Sequence, residues 1–343
     1  MGVNFSDIVS GIKQDIALED LKGRKVAIDA FNTIFQFLSI IRDRMTGEPL
    51  KDSHGRVTSH LSGLLYRTTN WVEAGIKPVF VFDGKPPEFK HLTIKARQMI
   101  RAEAREKWEE AKKKGLPTMK YAQAASELTD EMIDDAKELL QLMGIPILQA
   151  PSEGEAQCAF MSKEGDVWAT GSQDYDSLMF GSPRLVKNLS ITGKRKVPKR
   201  DEYVDVNPEL IELKDVLKGL GINQQQLIIM GLLIGTDYNE GVTGYGPKKS
   251  LELVKKEKTL AKVLHKVTWV EHMPADELLE FFLSPPVDKK YKLEWKQPDE
   301  KQLMKFMVEE HDFSEERVAK VIERLNAGRE AGKQSSLGSF MKK

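Results

Sequence analysis

The chain has 343 residues, 40% of them hydrophobic, with 52 basic and 52 acidic side chains, a formal charge of zero and one cysteine. That length is too great for one small core and suggests one large domain or two intimate ones. The composition excludes an internal disulfide framework, a cysteine-based zinc site and, with no apolar run near 18 residues, a transmembrane helix; a basic surface that meets a polyanion must be local.

The start, Met1-Gly-Val-Asn-Phe-Ser6, fits the loose N-myristoylation pattern, whereas residues 1–20 are amphipathic and contain acids, unlike a signal peptide. Residues 24–29 read as a buried strand ending in Asp29, followed by a helix with Ile34, Phe37, Leu38 and Ile41 at helical spacing. A turn-rich loop over 43–56 precedes a helix over 57–74 that stops at Gly75. A second strand, 78–83, ends in Asp83 and runs into Gly84 and Pro86-Pro87. Residues 88–114 carry few large apolar side chains and many charges. They read as a solvated helix with i,i+4 pairs or as a helix that projects and touches phosphates.

A helix over 129–143, capped by Thr129 and closed by Gly144, leads to a strand at 145–148. Ser152 is the expected N-cap of a helix holding Glu153 and Glu155. Cys158, among Ala156, Ala159 and Phe160, reads as a core thiol. The apolar run 166–170 is a further strand, and Asp174 and Asp176 follow it. Edge strands are expected at 185–189 and 201–206 around a basic turn, 192–200. Beyond 207 the pattern is helical: 208–220, 223–234, 247–257, 274–283, 299–309 and 314–329. The tail 330–343 is rich in Gly, Ser and Lys and is expected to be flexible.

Strands alternating with helices predict an α/β fold: a mostly parallel central sheet with helices on both faces, followed by a helical second half. Ligands of such sheets sit at the carboxyl ends of the strands. Asp29, Asp83, Glu153, Glu155, Asp174 and Asp176 all fall at that edge, and Asp237 follows a helix break at Gly235. Seven carboxylates at close range require cations. Oxygen donors without His or Cys favour Mg²⁺, with Mn²⁺ as the alternative. Two hard ions about 3.5–4 Å apart are the usual device for in-line displacement at phosphorus. Asp174 and Asp176 share a face if their segment is extended. Glu153 and Glu155 converge only at an irregular helix entry, and spacing leaves Asp237 open.

The loop Gly241-Val-Thr-Gly244-Tyr-Gly246-Pro-Lys248-Lys249 offers backbone N–H groups, a helix start and two lysines. It reads as a grip on a DNA backbone or as a plain helix connection. In the tail, Gln334-Ser-Ser-Leu337-Gly-Ser-Phe340-Met341 would gather Leu337, Phe340 and Met341 on one face in a tight turn, ready for a partner's pocket.

Together these residues resemble the flap endonuclease family of structure-specific 5′ nucleases, in its archaeal and eukaryotic form. The likeness covers nearly the whole chain: Ala27-Ile-Asp-Ala30, Val81-Phe-Asp-Gly-Lys-Pro-Pro87, Ala150-Pro-Ser-Glu-Gly-Glu-Ala156, Ser172-Gln-Asp-Tyr-Asp-Ser177, Gly235-Thr-Asp-Tyr238 and the tail. It implies that all seven acids are ligands of two Mg²⁺ ions, Asp237 included, and that the enzyme cuts DNA at the base of 5′ flaps and acts as a 5′–3′ exonuclease in replication and repair. It implies that Lys90 and Arg97 contact the scissile phosphate. Glu153, Phe35, Arg42, Arg67, Gly235, Gly244, Gly246, Lys248 and Lys249 fall at DNA-contact positions. A helix–two-turn–helix at 231–257 would hold duplex backbone with K⁺.

The implied layout is a nuclease region at 1–98, an arch at 99–115, further nuclease sequence over 116–257, a helical region over 258–329 and a tail. The tail's box, Gln334, Leu337, Phe340 and Met341, resembles a sliding-clamp motif in which Met341 replaces the second aromatic. Gly2 would then mark an amino terminus tucked near the active site rather than a lipid attachment point. The implied setting is the archaeal cytoplasm, with branched DNA and the clamp as partners and no membrane. Rival readings are a bubble or junction nuclease of the same class and a catalytically silent, clamp-tethered DNA-binding module.

Overall fold

Alternation of side chains along the short strands decides the layering. In the computed structural model, which describes residues 2–43, 46–191, 193–196, 203–270 and 273–340, Val26 and Ile28 enter one apolar cluster while Ala27 between them enters another. Phe80 and Phe82 likewise face opposite to Val79 and Val81. A sheet with both faces apolar must be covered on both.

The strands are β1 (Gln14–Asp15), β2 (Lys25–Asp29), β3 (Lys77–Phe82), β4 (Ile147–Gln149), β5 (Ala169–Gly171), β6 (Arg184–Lys187), β7 (Gly193–Lys196), β8 (Tyr203–Val206) and β9 (Glu209–Glu212). Seven form one sheet in the order β1-β9-β6-β5-β2-β3-β4. The run from β6 to β4 is parallel, and β9 joins β6 antiparallel. β7 and β8 make a separate hairpin.

Helices α1 (Ser6–Val9), α2 (Ala30–Ile40), α3 (Ser59–Glu73), α4 (His91–Lys113), α5 (Met119–Ala124), α6 (Asp130–Leu142), α7 (Gly154–Lys163) and α8 (Asp176–Met179) belong to the first half. The second half adds α9 (Leu213–Leu220), α10 (Gln224–Ile234), α11 (Pro247–Glu257), α12 (Leu260–Leu264), α13 (Ala275–Leu283), α14 (Glu300–Met304) and α15 (Glu315–Phe340). One sheet face is sealed by α2, α3, α6 and α15, through residues such as Phe37, Leu64, Leu139 and Leu325. The other meets Cys158 and Met161 of α7, with Tyr291, Leu293 and Trp295 from the segment between α13 and α14 packed beside them. Cys158 is a core thiol, and burial pushes its pKa well up.

Several expected elements are corrected. Residues 209–212, read as the start of a helix, form β9, because Leu210 and Ile211 are drawn into the sheet beside β6. That pairing makes β6 an interior strand rather than an edge. β8 leaves the main sheet for its hairpin; residues 192 and 197–202, most of the basic turn, lie outside the described residues. Glu153 rather than Ser152 is the N-cap of α7. α14 is short and runs on as a π-helical turn, Lys305–Glu310. The last helix extends through Phe340 instead of stopping near 329, its added turns containing the helix formers Glu330, Ala331, Lys333 and Gln334. Gln334, Leu337 and Phe340 are therefore on its backbone, while Met341 lies outside the described residues.

Candidate active site at the carboxyl ends of the strands

Six of the seven acids reach one sheet edge because four neighbouring parallel strands end together. Asp29 closes β2 and caps α2, accepting from Asn32 N–H at 3.1 Å. Asp83 follows β3 and accepts from Gly154 N–H at 2.6 Å. Gly84 makes this meeting of turns feasible: its N–H donates to Ser152 carbonyl at 2.6 Å, and a side chain there would stand 2.1 Å from the Ala150 carbonyl oxygen. Glu153 and Glu155 sit at the cap and in the first turn of α7, beyond β4. Asp174 and Asp176 follow β5. Their segment is not extended: Asp176 opens α8.

The two glutamates diverge. Glu153 accepts from Lys90 Nζ at 2.5 Å, while Glu155 accepts from Ser172 Oγ at 2.6 Å. Asp237, just past the α10 terminus at Gly235, completes the group from the helical half and pairs with Arg97 of α4. Asn32 Nδ2 ties Asp174 to the start of α2 at 2.8 Å. Val3 N–H donates to Asp176 Oδ1 at 2.7 Å.

Burial, and after it mutual repulsion, raise the pKa values of most of these acids. Burial first, and then Asp83 and Asp174, push Asp29 well above the ordinary carboxylate range. Asp83 rises to about 6 through burial and Glu153. Burial, Asp176 and Asp29 push Glu155 well up. Burial and Asp237 raise Asp174, and with Asp174 they bring Asp176 to about 7. Asp237 differs: burial opposes its ionisation, but the nearby positive charges, Arg97 first and then others including Lys90, together outweigh it and the pKa falls. For Lys90, burial is outweighed by Glu153 and Asp83, which hold the ammonium charged.

The clustered side chains thus offer carboxylate oxygen only, two of them ion-paired with Lys90 and Arg97 and the rest short of positive charge. That is the chemistry of a hard divalent-ion site. Among the described residues no three His, Cys, Asp or Glu side chains already stand as ligands of one ion; Glu153 and Asp237 face Lys90 and Arg97 instead.

The expected DNA-contact residues are less uniform. Phe35 is half-buried with the Arg101 guanidinium 5.3 Å from its ring centre. Arg42 spends its fork inside the fold, on the Leu38 and Gly47 carbonyls and Ser126 Oγ. Arg67 is half-buried on α3. Gly235 and Gly244 have φ of +110° and +83°. Gly246 caps α11, whose first turn carries exposed Lys248 and Lys249; Lys249 Nζ lies 4.3 Å from the Tyr245 ring centre. Sequence reasoning missed Asn32 and Ser172, which position acids through hydrogen bonds. The available signal was their spacing, three residues after Asp29 and two before Asp174. No helix among the described residues is long and apolar enough to cross a membrane.

Sequence and fold together place the chain among the XPG-type nucleases. The XPG N-terminal domain pattern matches residues 1–104 and the XPG I-region residues 144–237. The flap endonuclease 1 of Pyrococcus horikoshii is 55% identical over 348 residues, covering 100% of this chain and 99% of that protein; that of Hyperthermus butylicus is 54% identical, with both chains fully covered. The solved flap endonuclease-1 from Methanococcus jannaschii superposes with a TM-score of 0.75 at 42% identity, covering 96% of this chain and 100% of that one. The catalytic core of Rad2 in complex with DNA substrate gives 0.72 at 26% identity, covering 95% and 100%.

The chain belongs to the flap endonuclease family. It is a DNA-cleaving phosphodiester hydrolase of a metal-dependent family. The expected α/β class and nuclease activity hold.

Proposed function

We propose that this flap endonuclease holds two Mg²⁺ ions, replaceable by Mn²⁺, among Asp29, Asp83, Glu153, Glu155, Asp174, Asp176 and Asp237, and cuts DNA at the base of 5′ flaps. The observation that carries the assignment is the surplus of buried acids that raise one another's pKa at one strand edge. When bound, such ions activate a water and stabilise charge on the phosphate being cleaved. Lys90 and Arg97 exchange Glu153 and Asp237 for the phosphoryl oxygens and stabilise the charge that grows there. Asn32 and Val3 N–H fix the directions of Asp174 and Asp176.

Segment 99–115 of α4 would form the arch over the 5′ strand. The turn between α10 and α11, with Gly244, Gly246, Lys248 and Lys249, would hold duplex backbone with K⁺ beside the glycines. Phe35, Arg42, Arg67, Glu153 and Gly235 would supply the remaining DNA contacts. Gln334, Leu337, Phe340 and Met341 would bind a sliding clamp. Archaeal relatives support action in the cytoplasm, on flaps left by replication and repair.

The test is cleavage of an end-labelled double-flap DNA in Mg²⁺. Asp176→Ala should abolish cleavage while binding survives; full activity of this variant would sink the ligand assignment. Product maps on bubble and four-way DNA separate the flap reading from its same-class rivals.

A further inference from the structure

Three cations act on the acid cluster from its flanks, and two of them have carboxylate partners: Lys90 with Glu153 and Arg97 with Asp237. The third is Lys187. It ends β6, which neighbours β5, so it stands at the same carboxyl edge as the Asp174 turn. Its Nζ lies 3.4 Å from the centre of the Tyr175 ring, the residue between Asp174 and Asp176. That ring is buried and packed against Phe5. The cross-strand neighbour of Lys187 is Glu209, which pairs instead with Lys13 at 2.6 Å. Among the described residues Lys187 makes no ion pair, yet its charge favours ionisation of Asp174.

An ammonium seated on an aromatic face is held in place while hydrogen-bond donors remain to be used. Beside a group of acids that a polyanion must approach, such a cation has an evident anionic partner in the DNA backbone. We propose that Lys187 is a further substrate-positioning residue, a cation braced on Tyr175 that takes a backbone phosphate on the β6 side of the acid cluster, with Lys90 on the β3–β4 side. The contact would lie beside the scissile phosphate rather than on it, and would set the strand's register over the acids. This rests on the DNA-cleaving reading of the site.

The test measures binding of a labelled 5′-flap duplex in chelator across a salt series, with Lys187→Met and Lys187→Arg in the full chain. Methionine keeps length and ring contact but removes the charge. The expected result for Lys187→Met is a plot of log affinity against log salt that is shallower by about 0.7–0.9, the share of one phosphate contact. Affinity at low salt should drop about fivefold, as for one partly solvated charged contact. Thermal stability should be kept, and arginine should restore the slope. An unchanged slope, with or without a lower melting temperature, would overturn the proposal and leave Lys187 as a support for Tyr175. Wild-type protein that neither binds nor cleaves the flap would overturn the nuclease reading itself.

Discussion

Gly2 lies directly against Asp176. A side-chain carbon at Gly2 would stand 2.6 Å from both Asp176 carboxylate oxygens, and the next amide, Val3 N–H, donates to Oδ1 at 2.7 Å. The first residues of the chain therefore help set the position of an acid 173 residues from Val3 in sequence.

Replacing Gly2 with Ala should force that buried carboxylate or residues 2–3 to move. Single-turnover cleavage of a flap is expected to fall by about tenfold or more, equivalent to roughly 1.4 kcal/mol in the barrier. Rapid-quench kinetics on a pre-bound substrate would report it. A wild-type rate would show that the contact does not fix Asp176 in the reacting complex.

Asp176 also carries a pH dependence. Burial, Asp237 and Asp174 raise its pKa from 3.8 to about 7 in the fold. An acid raised in this way contributes stability below its unfolded pKa, and that contribution is lost as pH rises through its folded pKa. Asp176→Asn removes the loss. In chelator the variant should melt above wild type at about pH 8, with the gap shrinking from pH 7 towards 4 and vanishing below it. The histidines are common to both proteins, and the substitution also lowers the repulsion that raises Glu155, which acts in the same direction. Equal melting temperatures at about pH 8 would contradict the burial of this carboxylate.

Lys90 is predicted to act on the rate more than on affinity. Its ammonium is held 2.5 Å from Glu153 and is kept charged by Glu153 and Asp83 against the effect of burial. Lys90→Ala should slow the single-turnover step by about 10²–10³, the usual cost of losing one donor aimed at developing charge. Flap binding should weaken far less. Comparable losses in rate and affinity would make Lys90 a ground-state contact.

How much of this was legible in the sequence differs from residue to residue. Asp29 and Asp83 were readable because each terminates an apolar run, and parallel strands end at a common edge. β9 was not, since Glu209–Glu212 is four residues long and its strand state comes from pairing with β6. The divergence of Glu153 and Glu155 could not be read either. It follows from the helix starting one residue later than Ser152 suggests, which leaves Glu153 at the cap facing Lys90 and turns Glu155 towards Ser172.

The sequence by itself determined the α/β class and six acids at the strand ends, because hydrophobic periodicity and strand-end chemistry are local properties; the family, and Asp237 with it, came from the match of separated motifs. Tertiary structure decided which cation meets which acid, that Arg42 is spent on the Leu38 and Gly47 carbonyls and Ser126, and that Lys187 is braced on Tyr175 without a carboxylate partner among the described residues. Those outcomes depend on where residues far apart in the chain come to lie. Charge–charge and hydrogen-bond energies vary with separation and burial, and no local pattern encodes either.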